Sequence, residues 1–367
     1  MMNDITYAGL IFNAASIPCD LFLKLCDNYD PKEIFTGPDF LRELGLSDSH
    51  ISRLSSILVK TEKNGWPERE LEQLNEMGAR FITAKDIDYP VKLADLKRPP
   101  VGLYVKGSLN LSLPSIAIVG TRKPSDYGRM IATSLARGLA LRGITTISGG
   151  AKGIDSAAHR GSLQELGATV AVFGTSIDKV YPVEHRDLFS RITERGAVIS
   201  EYPLKSPSEA WHFPERNRII AALASRVVIV ESRNDGGAMI TADNAITIGR
   251  DLWAVPGRIT DENSTGTNSL IYNGAKCLYN IEDFIDSFAG KHEQLNIFGD
   301  IQEELPPIEL SDTEQVIYSL LQKQGNKLLD EIIAESGLDE DDIQDALMTL
   351  QAEGLVQESS GRFSASY

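Results

Sequence analysis

Ser115-Ile-Ala-Ile-Val-Gly120-Thr-Arg-Lys123 and Ile144-Thr-Thr-Ile-Ser-Gly149-Gly-Ala-Lys-Gly-Ile-Asp155 decide the fold. Each begins as a short apolar run and stops at a glycine-containing turn. Between them, residues 126–142 place apolar side chains at helical spacing, and Asp155 opens a second helical pattern. Strand, glycine turn and helix, repeated, are what parallel βαβ units require. In such sheets ligands gather at the carboxyl ends of the strands, where helix amino-termini point N–H donors outward. Both polar turns belong to that edge, which is therefore where function is expected.

The same rhythm continues outward. Residues 168–173, 197–200, 227–230 and 252–255 read as further strands, with helical patterns at 157–166, 185–194 and 238–248. Val227-Val228-Ile229-Val230 is nearly all β-branched, as suits a strand buried on both faces. Upstream, 78–83 and 101–107 read as two additional strands. The expected class is α/β: an extended Rossmann-like, doubly wound, mainly parallel sheet over residues 76–289. Residues 1–75 read as a small helical domain of sterile-alpha-motif or helix-hairpin-helix type, chiefly a packing module. Within it Ser47 is a plausible N-cap ahead of Ile51, Leu54, Ile57 and Leu58. The polar stretch 290–310, with Pro306-Pro307, reads as a linker. Beyond it, helical patterns at 313–321, 328–335 and 341–353, then two short strands, give 311–367 the outline of a winged helix.

A chain of 367 residues can bury a full core, and its 42% hydrophobic and 24% charged content is that of a soluble globular protein. No apolar run approaches the roughly 20 residues of a membrane span, and the amino-terminus lacks the form of a secretory signal. Cys19, Cys26 and Cys277 form no Cys-x-x-Cys pair, so they read as thiols in a reducing cytosol, with no zinc site. Cytoplasmic location is the expectation. A net charge of −16 argues against a nucleic-acid partner until it is located along the chain. Residues 300–367 hold sixteen acidic side chains against Lys323, Lys327 and Arg362, a net of −13, which leaves only −3 for everything before them. The body is nearly neutral and can present a local basic cleft.

Arg122 and Lys123 set two cations beside the Gly120-Thr121 turn, whose backbone amides already suit phosphate. The Gly149–Asp155 turn matches neither Gly-x-Gly-x-x-Gly nor Gly-x-x-x-x-Gly-Lys-Ser/Thr, which argues against classical NAD binding and ATP hydrolysis. There Lys152 can reach a phosphate, and Asp155 can cap the helix and order the turn. His159, without a second ligand at metal spacing, reads as structural. Phe213-Pro214-Glu215-Arg216-Asn217-Arg218 is the most informative short run. Cations near a helix amino-terminus oppose the macrodipole at a cost of a few tenths to ~1 kcal/mol, which points to an anion nearby. Trp211 and Phe213 offer flat faces for an unpaired base, worth ~1–3 kcal/mol per base. The competing reading pairs Arg216 with Glu215 or Asp187 and puts the aromatics in the core. Gly236-Gly237 precede a helix and either hold an anion or allow close packing.

Taken in order, these motifs resemble the DNA-processing protein A family (DprA, also called Smf). The resembling residues are Tyr89-Pro90, Val119-Gly120-Thr121-Arg122, Ser148–Asp155, Tyr181-Pro182, Ser200-Glu201-Tyr202-Pro203, Phe213–Ala221 and Gly236–Ala242, within residues 78–288. Gly150, where leucine is more usual, and the acidic carboxyl-terminal domain depart from the pattern. The resemblance implies a bacterial cytosolic protein, without enzymatic activity or cofactor, that binds single-stranded DNA. It implies protection of incoming DNA during natural transformation, RecA loading with displacement of single-strand-binding protein, and a homodimer built on the Rossmann-like domain. The expected DNA-binding residues are Gly120, Thr121, Arg122, Lys123, Lys152, Trp211, Phe213, Arg216, Asn217, Arg218, Gly236 and Gly237, with Lys152 and the glycine pair the weaker carry-overs. The dimer is expected along the edge formed by residues 274–288. The helix at 341–353 carries Asp341, Asp342, Asp345 and Glu353 and no cation, so it is expected to meet protein, or to regulate the cleft by mimicking DNA charge. Two alternatives remain: a Rossmann-like nucleotide phosphoribohydrolase of the lysine-decarboxylase-like kind, whose Pro-Gly-Gly-x-Gly-Thr turn is missing here, and a winged-helix transcription regulator.

Overall fold

The computed structural model describes residues 4–111, 114–289, 311–324, 327–352, 356–359 and 362–365. The stretch 290–310, read above as a linker, lies outside the described residues. The chain divides into two compact units, Met1–Leu295 and Asn296–Tyr367, each taken by itself.

Five helices open the first unit: α1 (Asp4–Ala14), α2 (Cys19–Asn28), α3 (Pro38–Leu44), α4 (Asp48–Asn64) and α5 (Trp66–Glu76). Ser47 caps α4, its hydroxyl accepting the His50 N–H at 3.3 Å. Gly45 ends α3 in the left-handed region at φ +108°, where glycine carries no Cβ penalty. Phe12, Phe22, Leu25, Leu41, Leu44 and Leu54 fill the bundle, and Val101, just ahead of the sheet, packs into the same cluster. Two polar contacts fasten the bundle to the loop after residue 200. Asn13 Nδ2 donates to the Glu201 carbonyl at 2.8 Å, and the buried Glu70 carboxylate accepts the Leu204 N–H at 2.7 Å. Burial pushes the Glu70 carboxyl up, against the hydrogen bonds it accepts.

The sheet has nine strands: β1 (Ala79–Thr83), β2 (Gly102–Gly107), β3 (Ser115–Val119), β4 (Thr145–Ser148), β5 (Thr169–Phe173), β6 (Ala197–Ser200), β7 (Arg226–Ile229), β8 (Asp251–Ala254) and β9 (Lys276–Cys277). Their order is β1-β2-β6-β5-β4-β3-β7-β8-β9. From β6 to β9 every pairing is parallel; β1 and β2 extend the far edge antiparallel. This is the extended Rossmann-like, doubly wound α/β fold. β3 shows why the strands read as apolar runs. Ile116 and Ile118 pack on one face with Leu135 and Leu139 of α6 (Asp126–Leu141) and Ala158 of α7 (Ile154–Gln164). Ala117 and Val119 pack on the other with Ile219, Ile220 and Leu223 of α9 (His212–Leu223), the helix that follows α8 (Arg186–Arg195). Each of the Ile, Leu and Val side chains so buried contributes about 1.5–3 kcal/mol as an upper bound.

The chain leaves β3 for β4, β5 and β6 on one side, then returns to place β7, β8 and β9 on the other. The switch point lies between β3 and β7, and there a doubly wound sheet opens a crevice at its carboxyl edge. The remaining helices of this unit are α10 (Gly237–Thr247), α11 (Thr265–Tyr272) and α12 (Ile281–Ala289). On α12, Phe284, Ile285 and Phe288 are buried against the α6 face of the sheet, so that part of the expected dimer edge is committed to the core. Edge strand β9 and the exposed Tyr272 and Tyr279 beside it remain on the surface.

The second unit holds α13 (Asp312–Gln324), α14 (Leu329–Ser336), α15 (Glu340–Ala352) and an antiparallel sheet of β10 (Lys327–Leu328), β12 (Arg362–Ala365) and β11 (Val356–Ser359), in that order. Ile317, Leu321, Ile332, Ile343, Leu347 and Leu350 form its core, while Asp341, Asp342 and Asp345 of α15 stay exposed. Among the described residues, no helix is long and apolar enough to cross a membrane.

Candidate functional site

A pocket of about 300 Å³ opens at the switch point. Its walls come from the end of β3 and its turn (Val119–Arg122), from Ala151 and Asp155 ahead of and within α7, from α9, and from the segment joining β7 to α10.

The β3 turn is fixed by close packing. A Cβ on Gly120 would stand 2.6 Å from Ile154 Cγ1 and 2.8 Å from the Glu231 carbonyl, so only glycine fits. The Thr121 N–H donates to Glu231 O at 2.7 Å, and Thr121 O accepts the Ile154 N–H at 3.2 Å. Arg122 projects from this anchored turn into solvent at the pocket wall, its guanidinium carbon 5.7 Å from the Phe213 ring centroid. It has no carboxylate partner among the described residues. Lys123, also exposed, stands at the rim rather than in the lining.

In the second turn Gly153 has φ +88°, and a Cβ there would fall 2.3 Å from Thr121 O, so the two turns interlock. Asp155 is buried and accepts the Ala151 N–H at 3.3 Å, which orders the turn. It does not cap α7, whose N-cap is Gly153 with no side-chain hydrogen bond. Burial pushes its carboxyl up, opposed by the Arg216 guanidinium. Lys152 turns away and pairs with Glu184 at 2.8 Å, outside the pocket lining. His159 is fully buried on α7, its Nδ1 2.7 Å from Thr169 Oγ1, and burial pulls it down to about 3.

Helix α9 divides the Phe213–Arg218 run by geometry. Positions i, i+3, i+4 and i+7 share a face, and Phe213, Arg216, Asn217 and Ile220 all line the pocket. Phe213 also packs on Tyr181, ring centroids 5.4 Å apart, and the half-exposed Tyr181 continues the aromatic surface outward. Arg216 is 4% exposed; it donates to Gly149 O at 2.7 Å and to Val172 O, joining the ends of β4 and β5. Burial lowers its pKa to about 10, against the pull of Asp155. The Asn217 amide donates to Gly237 O at 3.2 Å, joining α9 to α10. Arg218 points elsewhere: it holds Glu201 through Nη2 at 2.5 Å, Glu215 at 3.2 Å and the Arg98 carbonyl at 2.8 Å, outside the pocket lining. Arg218 is thus ion-paired with the protein's own Glu201, whereas Arg216 is spent on backbone carbonyls with Asp155 acting on it electrostatically. Trp211 is exposed at the start of α9, set edge-on against His212, and is not in the lining.

Gly236 and Gly237 line the pocket at the start of α10. Three further residues matter that are not among the expected DNA-binding residues. Glu231, buried after β7, accepts the Ser125 N–H at 2.9 Å and its hydroxyl, holding the start of α6. Arg233 lines the pocket but is paired with Asp235 and Glu262. Tyr181 stood in a quoted motif, yet only the fold brings it to Phe213. Among the described residues no group of His, Cys, Asp and Glu side chains is arranged to hold a metal ion.

Residues 80–289 match the family model for DNA recombination-mediator protein A. Protein Smf of Synechocystis sp. is 33% identical over 350 residues, covering 87% of this chain and 88% of its own length. The X-ray structure of DNA processing protein A from Streptococcus pneumoniae is similar with a TM-score of 0.66 at 29% identity, covering 78% of this chain and 98% of that one. DNA processing protein A from Helicobacter pylori, solved for its single-stranded DNA binding mode, matches with a TM-score of 0.54 at 32% identity, over 58% of this chain and 98% of its own.

Proposed function

The chain belongs to the DNA recombination-mediator protein A family, and from that membership and the geometry of the cleft we propose that it binds single-stranded DNA at the switch point. The observation that carries this reading is Arg122, an exposed guanidinium on a rigid turn, unpaired among the described residues and set over the Phe213 ring. Cations that neutralise phosphates release counterions, while stacking on Phe213 and Tyr181 accepts any base provided that it is unpaired. Together they select single strands over duplex with little preference for sequence.

The reading involves no bond making. Asp155 and Arg216, two ionisable groups of the pocket lining, are each engaged with backbone groups, and Glu231 is turned to Ser125. Protection of incoming DNA in natural transformation, RecA loading, displacement of single-strand-binding protein and a cytoplasmic location belong to the same proposal. So does a homodimer along the β9 edge, which would set two clefts on one strand and raise avidity. The second unit is read as a winged helix whose acidic α15 repels phosphate and meets protein. Fluorescence anisotropy with a labelled oligonucleotide, alone and as its duplex, tests the core of the proposal. Tight binding of the single strand and weak binding of the duplex is expected; equal affinity, or none at low salt, defeats it.

A further inference from the structure

We propose that the first turn of α10 is a phosphate site, and that free nucleoside 5′-monophosphates compete there with the strand; this rests on the strand-binding reading above. Besides α9, whose first turn carries Phe213 and Pro214, three helices begin around the switch point, and two of these three starts already hold a carboxylate of the protein. The Ser125 N–H and hydroxyl ahead of α6 are taken by Glu231, and the Ala151 N–H ahead of α7 by Asp155. The third start is open. Gly236 is the N-cap of α10 and has no side chain to offer, so the N–H groups of Gly237 and Ala238, two residues that line the pocket, have no intrahelical acceptor.

A second feature points to a ligand independently. Thr241, one turn further along α10, is 1% exposed and lines the same pocket, yet its hydroxyl has no hydrogen-bond partner among the described residues. A hydroxyl without a protein partner on a residue that lines the pocket is available to an oxygen-rich guest, which would give it one. Space is available where such a guest would sit, since a Cβ on Gly237 would meet nothing within 4 Å. Arg122 on another wall supplies the charge, and Phe213 a flat face for the base. Two amides, a hydroxyl, a guanidinium and a ring suit one nucleotide, and about 300 Å³ is enough to seat it. A nucleotide pool could thereby tune strand occupancy at this site.

The test uses the full chain, with deoxyadenosine 5′-monophosphate, deoxyadenosine and inorganic phosphate as probes. Calorimetry reads direct binding, and anisotropy reads displacement of a labelled oligonucleotide at constant ionic strength. The monophosphate should bind and displace the oligonucleotide at least tenfold more effectively than either the nucleoside or phosphate alone. Gly237→Ala should weaken the monophosphate at least tenfold without lowering the melting temperature, because its methyl enters open space. Thr241→Val should weaken it several-fold. Absence of monophosphate binding, equal binding of the nucleoside, or an unchanged Gly237→Ala variant overturns the proposal. Monophosphate binding without oligonucleotide binding would overturn the strand reading and leave the phosphate site standing; oligonucleotide binding alone does the reverse.

Discussion

Arg218 holds two carboxylates and a backbone carbonyl with a side chain only 13% exposed, and Glu201 opposite is 19% exposed. Removing the arginine strands Glu201 beneath the helical bundle. Breaking a fully buried pair costs about 3–5 kcal/mol, and partial exposure places Arg218→Ala near the lower end of that range. Urea unfolding followed by tryptophan fluorescence checks it; an unchanged midpoint would deny the residue this bracing role. Phe213 and Trp211, two residues apart, should also separate. Phe213→Ala is expected to cost about 1–3 kcal/mol of strand affinity in an anisotropy titration, and Trp211→Ala clearly less. His159 adds a pH dependence. Burial holds its folded pKa near 3, below the ordinary 6.5, so its contribution is complete above pH 6.5 and is lost as pH falls toward 3. Between pH 7.5 and 5.5 the parent should lose about 1.4 kcal/mol more stability than His159→Gln, measured by the same unfolding experiment.

The interlocked turns make a prediction at the level of elements. Gly153→Ala combines a left-handed backbone with a methyl driven onto Thr121 O, and should destabilise the protein by about 1–3 kcal/mol or more, lowering the melting temperature and the affinity together. These turns were legible in the sequence because strands buried on both faces must be apolar and must end where glycine alone fits. Helix α9 was legible as a helix, but its division into a pocket face and an Arg218 face was not. That division depends on Glu201, a partner in a separate loop held by Asn13 of the bundle. Helix α11 was missed for another reason. Thr265-Gly-Thr-Asn-Ser has poor helix propensity, and the segment is helical because Gly266 packs against β7's continuation, its N–H on Ser232 O at 2.8 Å. The anion that the sequence suggests beside these arginines is, for Arg218, the protein's own Glu201, while Arg216 is held by the Gly149 and Val172 carbonyls.

For the whole molecule the charge distribution is what matters. Of the net charge of −16, the carboxyl-terminal 68 residues carry −13, so the net charge of the whole chain says little about the cleft of the first unit. Deleting residues 296–367 should therefore leave strand affinity undiminished or raise it; a large loss would assign the second unit a direct part in binding. The nearly neutral first unit then depends on a few placed cations, above all Arg122. The most direct measurement is the slope of log affinity against log salt for a single-stranded oligonucleotide, parent beside Arg122→Ala. The variant is expected to bind more weakly with a slope shallower by about 0.7, one phosphate contact fewer. An Arg122→Ala protein with the parental slope and affinity would contradict a strand seated at the switch point.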